Sequence, residues 1–157
     1  MKFFLITLAI ALFIPYSFGG DSDELAKEKK ASAEYLAKML AEPEAVAIAS
    51  GVVIRPLFVS PSDQFANLSD TVKVAYHLVD REGKVLDESI TSDELAVFPL
   101  AKLIKCWQIA VPNISFGSFY KVSCSSDTAY GDKGAGDGLI KPGAALTFRI
   151  TMFGIQK

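Results

Sequence analysis

The feature that most constrains the fold of this chain is a two-residue alternation of apolar and polar side chains in two separate stretches. Every second residue is apolar in the stretch 72–78, and the same holds for 146–152. Side chains of a β-strand alternate between its two faces with this period. We therefore predict two strands, each with one face in a hydrophobic core. The predicted inward set is Val72, Val74, Tyr76, Leu78, Leu146, Phe148, Ile150 and Met152, and the outward set of the second strand is Thr147, Arg149 and Thr151.

Other stretches add strands to this sheet. The stretch 46–58 is rich in β-branched and aromatic residues around Gly51, and Pro56 within it indicates an edge strand or a break. A turn at 82–83 leads into a further strand, and 120–124 has a third inward-facing set.

Only one helix is predicted within this β-rich part. The short apolar stretch 104–111 fits a helix, and Pro112 would end it because proline lacks the N–H that a helix interior needs. The predicted class is therefore α+β, with an antiparallel sheet and one short helix that covers its apolar face.

The N-terminus has the composition of a secretory signal. Lys2 gives a positive start, and the apolar run that follows has about 13 residues, fewer than the roughly 20 that span a bilayer as a helix. Ser17 and Gly19 place small residues where signal peptidase needs them. We expect residues 1–19 to be cleaved and the protein to be exported, to a periplasm or by secretion, without a stable membrane anchor. An uncleaved anchor is the alternative.

Residues 20–45 are predicted to form a helical extension. One helix is expected from Asp21 to Glu42, with Asp21 as its N-cap, Glu24 completing a capping box and Pro43 ending it. Its apolar stripe is short, so three roles stay open: docking on the domain, pairing with a second copy, or serving as a spacer. A spacer or weak docking is favoured, and the chain is expected to be a monomer or weak dimer.

Composition and motifs exclude several functions. Lysine plus arginine total 16 against 18 acidic residues, so no basic excess points to nucleic acid. The single histidine, His77, falls on the outward face of its strand, and no nucleophile, phosphate or metal motif is present. We expect no cofactor and no metal.

The two cysteines, Cys106 and Cys124, match neither a CxxC pair nor a zinc site. They could form a disulfide, or they could be two small buried apolar residues, and the sequence favours these two interpretations equally.

Six short motifs follow one another in the second half of the chain. They are Val72-Lys-Val-Ala-Tyr76, Glu82-Gly-Lys-Val-Leu-Asp-Glu-Ser89, Phe98-Pro-Leu100, Leu103-Ile-Lys-Cys-Trp107, Ala129-Tyr-Gly-Asp-Lys-Gly134, and Leu139-Ile-Lys-Pro142 with Ala145-Leu-Thr-Phe148. In this order and spacing they resemble the FKBP-type peptidyl-prolyl isomerase family. The upstream helix and the segment 49–52 resemble the exported bacterial Mip and FkpA-like members, without their long dimerisation region.

The resemblance implies a fold and a site. Residues 46–157 would form the domain, a five- to six-stranded antiparallel sheet wrapped around one short helix, with a shallow pocket for a proline ring. Trp107 would be the pocket floor, the Ile104 N–H and the Tyr130 hydroxyl would bind peptide carbonyls, and Asp87 would be the polar group at the rim. The implied pocket walls are Tyr76, Leu86, Phe98, Leu103, Ile104 and Phe148.

The resemblance also implies an activity. Proline-containing polypeptide segments would be the substrates, the macrolide inhibitors of the family would be ligands, and folding of exported proteins would be assisted by cis–trans isomerisation. A weakly active or inactive module that binds chains as a chaperone is the alternative.

The chain departs from the family pattern in places that bear on the pocket. Leu86 stands where members carry phenylalanine, Cys106 replaces a glycine, and Lys141 replaces a proline. By resemblance Cys124 lies near Trp107, so the two cysteines could meet.

Overall fold

The structure is a computed structural model that describes residues 22–89 and 95–156. The predicted signal peptide and the predicted N-cap Asp21 lie outside the described residues. None of the helices in the described ranges is long and apolar enough to cross a membrane.

The described residues form one antiparallel sheet and two α-helices. The strand order is β1-β2-β6-β7-β3-β4, and β5 pairs with β3. The elements in chain order are α1 (Ser22–Leu40), β1 (Val46–Ala49), β2 (Val52–Phe58), β3 (Thr71–Asp80), β4 (Val85–Glu88), β5 (Ala96–Pro99), α2 (Lys105–Ala110), β6 (Phe119–Cys124) and β7 (Leu146–Ile155). The predicted α+β class is confirmed. The described residues contain seven strands, more than the expected five to six, because the stretch 46–58 divides at Gly51 and β5 is a separate short strand.

The core lies between the inner face of the sheet and α2. All eight residues predicted to face inward on β3 and β7 are buried. These two strands pair along their length, from Val72 opposite Ile155 to Asp80 opposite Leu146. Helix α2 ends at Ala110 and gives way to a single 3-10 turn that contains Pro112, as the sequence predicted.

Strand β2 has the irregularity that Pro56 predicted. Its pairing with β6 shifts register between Pro56 and Phe58. Strand β1 pairs with β2 only up to Ile54, so the second half of β2 forms an edge of the sheet. The connection between β1 and β2 turns at Gly51, whose φ of 76° is readily adopted only by glycine.

Helix α1 docks on the outer face of the sheet through polar contacts. The buried Ser32 hydroxyl donates to the carbonyl oxygen of Gly143 (2.9 Å) and accepts from the N–H of Ala145 (2.8 Å). The Tyr35 hydroxyl and the Thr147 hydroxyl are 2.8 Å apart. Thr147 does face outward, as predicted, but it is buried because α1 covers it.

Ion pairs hold both ends of α1. Near its start, Glu28 accepts two hydrogen bonds of 2.9 Å from Arg81, and these hold the pKa of the Glu28 carboxyl below its usual range. Beyond its end, Glu42 contacts Lys121 at 2.6 Å and Arg55 at 3.0 Å. Of the three roles that the sequence left open, the structure shows docking on the sheet, and the hydroxyl and charged groups that make these contacts were not part of the predicted apolar stripe.

Candidate active site

Four aromatic rings from four different elements meet on the inner face of the sheet. Trp107 of α2 is at the centre and is fully buried. Its ring centroid lies 5.7 Å from that of Tyr76, 6.4 Å from that of Phe98 and 5.4 Å from that of Phe148. The interplanar angles of these three pairs lie between 80° and 87°, the edge-to-face geometry that aromatic quadrupoles favour. The rings therefore form a rigid apolar cluster, which we call the aromatic box.

Strand pairing explains why these rings meet. Leu78 lies opposite Phe148, and Tyr76 lies opposite Ile150, so Tyr76 and Phe148 are diagonal neighbours on one face. Strand β5 pairs with the start of β3 and brings Phe98 to the same face, opposite Val72.

One side of the aromatic box is only partly covered. Leu103 is buried, whereas Leu86, Phe98 and Ile104 are half-buried and pack against the core. Because Trp107 has no exposed surface, a ligand ring reaches it only if these half-buried side chains move apart. The site is thus a buried aromatic cluster with half-buried apolar side chains on one side.

A carboxylate and a tyrosine form the polar edge of this site. The Tyr76 hydroxyl donates a 2.6 Å hydrogen bond to Asp87 Oδ2, and the Glu88 N–H donates to Oδ1 at 2.9 Å. Asp87 lies opposite Leu78, which directs its side chain inward. Burial raises the pKa of the Asp87 carboxyl, while the Tyr76 hydrogen bond opposes that shift. Burial, with the nearby Asp87 carboxylate, also raises the pKa of Tyr76.

Tyr130 has a buried hydroxyl that finds no hydrogen-bond partner among the described residues. Burial, and next the charge of Asp87, raise the pKa of Tyr130 to about 12, so the hydroxyl stays protonated at neutral pH. It is therefore a hydrogen-bond donor and not a base. A buried hydroxyl without a partner costs about 1–3 kcal/mol, so an acceptor supplied by a ligand would be bound favourably. The indole Nε1 of Trp107 is also buried, and it too has no hydrogen-bond partner among the described residues.

Ile104 stands at the start of α2. Its backbone is extended (φ −57°, ψ 151°) and no side chain caps the helix there. N–H groups in the first turn of a helix lack intrahelical acceptors, so this end of α2 can donate to a carbonyl.

Two features near the box were not resolved by sequence reasoning. Ser89 bonds twice to Tyr76: its hydroxyl accepts from the Tyr76 N–H and its own N–H donates to the Tyr76 carbonyl, both at 2.9 Å. Its place at the end of the second motif was the only signal. The second feature is a disulfide between Cys106 and Cys124, one of the two alternatives that the sequence left open.

The only histidine of the chain, which the sequence analysis rejected as a catalytic base, lies outside the aromatic box. His77 is on the outer face of β3, with Nε2 at 3.7 Å from a carboxylate oxygen of Glu88. In residues 22–89 and 95–156, no group of three or more His, Cys, Asp and Glu side chains is arranged to hold a metal ion.

Comparisons with known proteins identify the family. The family model described as FKBP-type peptidyl-prolyl cis-trans isomerase matches residues 62–153, more than half of the chain. The peptidyl-prolyl cis-trans isomerase Mip of Coxiella burnetii is 34% identical over 94 residues, which cover 60% of this chain and 40% of that protein. The isomerase FkpA of Aeromonas hydrophila is 36% identical over 89 residues, covering 57% and 32%. This chain thus spans less than half the length of these relatives.

Comparison with solved structures supports the same family over a larger share of the chain. The peptidyl-prolyl isomerase of Pseudomonas syringae superposes with a TM-score of 0.77 at 28% identity, covering 84% of this chain and 96% of that one. FkpA of Escherichia coli gives a TM-score of 0.78 at 26% identity, covering 86% and 62%. With the matched family model and the aromatic box in the same segment, the chain belongs to the FKBP-type peptidyl-prolyl cis-trans isomerase family.

Proposed function

We propose that this protein isomerises Xaa–Pro peptide bonds, with the aromatic box as the site for the proline ring. The observation that carries the proposal is the combination of the aromatic box, bordered on one side by half-buried apolar side chains, with a buried Tyr130 hydroxyl that has no hydrogen-bond partner among the described residues. A proline ring would enter between the half-buried side chains of Leu86, Phe98 and Ile104, with Leu103 beneath them.

The reaction fits a site of this kind because it needs no nucleophile. Rotation about a peptide bond faces a barrier of ~18–20 kcal/mol, since resonance gives the C–N bond partial double-bond character. The twisted transition state has lost that resonance and is less polar than the planar amide. An apolar pocket therefore binds it better than the solvated ground state, which is the differential binding that accelerates a reaction.

The polar groups would hold the twisted geometry. The Tyr130 hydroxyl and the Ile104 N–H would donate to carbonyls of the bound segment. Asp87, held by Tyr76 at 2.6 Å, would orient the peptide at the rim rather than transfer a proton.

The biological setting follows from the same proposal. Uncatalysed Xaa–Pro exchange takes tens of seconds or more, slow enough to limit folding. The predicted signal sequence would place the isomerase outside the cytoplasm, where it would act on exported proteins. The substrates would be proline-containing segments, and macrolide inhibitors of the family would compete for the pocket. The protein would act as a monomer or weak dimer.

The test is cis-to-trans exchange of a Leu-Pro or Phe-Pro peptide, measured with the chain from Gly20 onward. We expect the wild type to accelerate exchange and Tyr130→Phe to lower kcat/KM about tenfold, which corresponds to one lost hydrogen bond of roughly 1.4 kcal/mol. Tyr35→Phe is the matched control, because it removes a tyrosine hydroxyl on the opposite face of the sheet.

A folded wild-type chain without any acceleration would refute the proposal. Suppression of aggregation by that same inactive chain would then favour the chaperone alternative.

A further inference from the structure

The disulfide joins the helix that carries the pocket floor to the sheet. Cys106 is the second residue of α2 and directly precedes Trp107, and Cys124 is the last residue of β6. Both cysteines are fully buried, and they are the only two in the chain. The bond therefore fixes the first turn of α2, between Ile104 and Trp107.

Helix α2 has little stability of its own. It contains six residues, no side chain caps its N-terminus, and its first turn holds no acidic residue. Isolated helices shorter than about 12–15 residues are marginal in water, so α2 depends on tertiary contacts for its position. The disulfide is the one covalent cross-link between α2 and the sheet within the described residues.

The other end of the bond lies in a strand that is paired on both sides. Cys124 is paired with Val52 of β2 on one side and with Leu146 of β7 on the other. Strand β7 also carries Phe148, whose ring is 5.4 Å from that of Trp107. The bond thus links the helix that carries Trp107 to β6, the strand that lies next to β7 in the sheet.

We infer that Cys106 and Cys124 are positioning residues, whose disulfide holds Trp107 and the Ile104 N–H in the geometry that binds the proline. The inference rests on the proposed function. A disulfide also stabilises a fold by restricting the unfolded chain, here across a sequence separation of 18. That effect changes the fraction of folded molecules, whereas positioning changes the activity of each folded molecule.

The experiment separates these two effects. The variants are Cys106→Ala/Cys124→Ala, and Cys106→Ala/Cys124→Val, which fills more of the buried space. Ser32→Ala is the control, because it loses buried hydrogen bonds between α1 and the loop before β7, on the opposite face of the sheet. The folded fraction is measured by far-UV circular dichroism at low temperature. Peptide isomerisation is then expressed per folded molecule.

A second measurement reads the pocket floor directly. Trp107 is the only tryptophan in the chain and is fully buried, so acrylamide should quench its fluorescence weakly in the wild type. A loosened first turn of α2 would expose the indole and increase the quenching. This measurement does not depend on any enzymatic activity.

In both double variants we expect kcat/KM per folded molecule to fall at least tenfold, since a displacement of about 1 Å at a site can cost a hundredfold. The quenching constant should rise in parallel, and Ser32→Ala should change neither value.

Unchanged activity and unchanged quenching in the double variants would contradict the inference, because the disulfide would then only stabilise the folded state. Unfolded chains in both variants would also overturn the inference. If the wild type itself were inactive, the proposed function would fail, and the quenching alone would decide the inference.

Discussion

At the scale of single residues, the candidate site combines an apolar floor with polar groups whose burial opposes folding. The Tyr130 hydroxyl is buried without a partner among the described residues, and burial raises the pKa of Asp87. Neither feature stabilises the folded state. Polar groups of this kind are expected where a protein binds a ligand, because the ligand supplies the missing interaction.

Asp87 gives a prediction about pH. Since its pKa is raised by burial, the native state binds a proton more readily than the unfolded state just above the ordinary aspartate value of about 3.9. The wild type therefore loses the stability associated with that proton as the pH rises through this window, and Asp87→Asn does not. As the pH rises from below the ordinary aspartate value of about 3.9, we expect the unfolding free energy of the variant to rise relative to that of the wild type.

Thermal or denaturant unfolding of both proteins across this pH range is the measurement. Asp63→Asn, at an exposed position, controls for the change in net charge. A variant-minus-wild-type difference that does not change with pH would contradict the prediction. Isomerase activity of Asp87→Asn should fall. A variant that gains stability relative to the wild type and loses activity would show that Asp87 contributes to function and not to stability.

The residues of the aromatic box could be predicted from sequence, but the contacts of the polar residues could not. Alternation placed Tyr76 and Phe148 inward, and the motif order added Phe98 and Trp107. The 2.6 Å bond between Tyr76 and Asp87 depends on the register of β3 against β4, and a register is fixed by turn geometry that the sequence pattern specifies only loosely.

At the scale of elements, the docking of α1 depends on a buried hydroxyl. Ser32 satisfies the carbonyl of Gly143 and the N–H of Ala145 at once. A serine in a helix otherwise rich in lysine, glutamate and alanine looks like a surface residue, so the short apolar stripe favoured a spacer or weak docking. Strand pattern predicted the sheet well because its signal is hydrophobic, whereas the hydroxyl and charged groups through which α1 contacts the sheet carry no periodic signal.

Replacement of that hydroxyl should have a measurable cost. In Ser32→Ala the Gly143 carbonyl and the Ala145 N–H lose a buried partner, so we expect the free energy of unfolding to fall by about 1–3 kcal/mol. Glu34→Ala is the matched control, since it makes a similar truncation at an exposed position of the same helix. Equal stability of the two variants, measured by denaturant titration, would show that the Ser32 hydroxyl does not hold α1.

At the scale of the whole molecule, the structural unit is larger than the segment that the family model matches. The family model begins at residue 62, yet β2 lies before it and pairs with β6 from Val52 to Phe58. Helix α1 lies still further upstream, where its Glu28 contacts Arg81, and Glu42 just beyond its end contacts Lys121. The segment from Ser22 onward is therefore integrated into the domain.

This integration predicts that the molecule unfolds in a single step. Helix α1 has 19 residues and α2 has six, so the far-UV signal at 222 nm reports mainly on α1, while Trp107 fluorescence reports on the core. Contacts at both ends of α1 and at Ser32 couple the helix to the sheet, so we expect the two signals to give the same midpoint in thermal and denaturant unfolding. Loss of the helical signal before the fluorescence change would mean that α1 separates while the sheet stays folded. In that case the ion pairs of Glu28 and Glu42, which are partly exposed and individually weak, would not be sufficient to couple the helix to the domain.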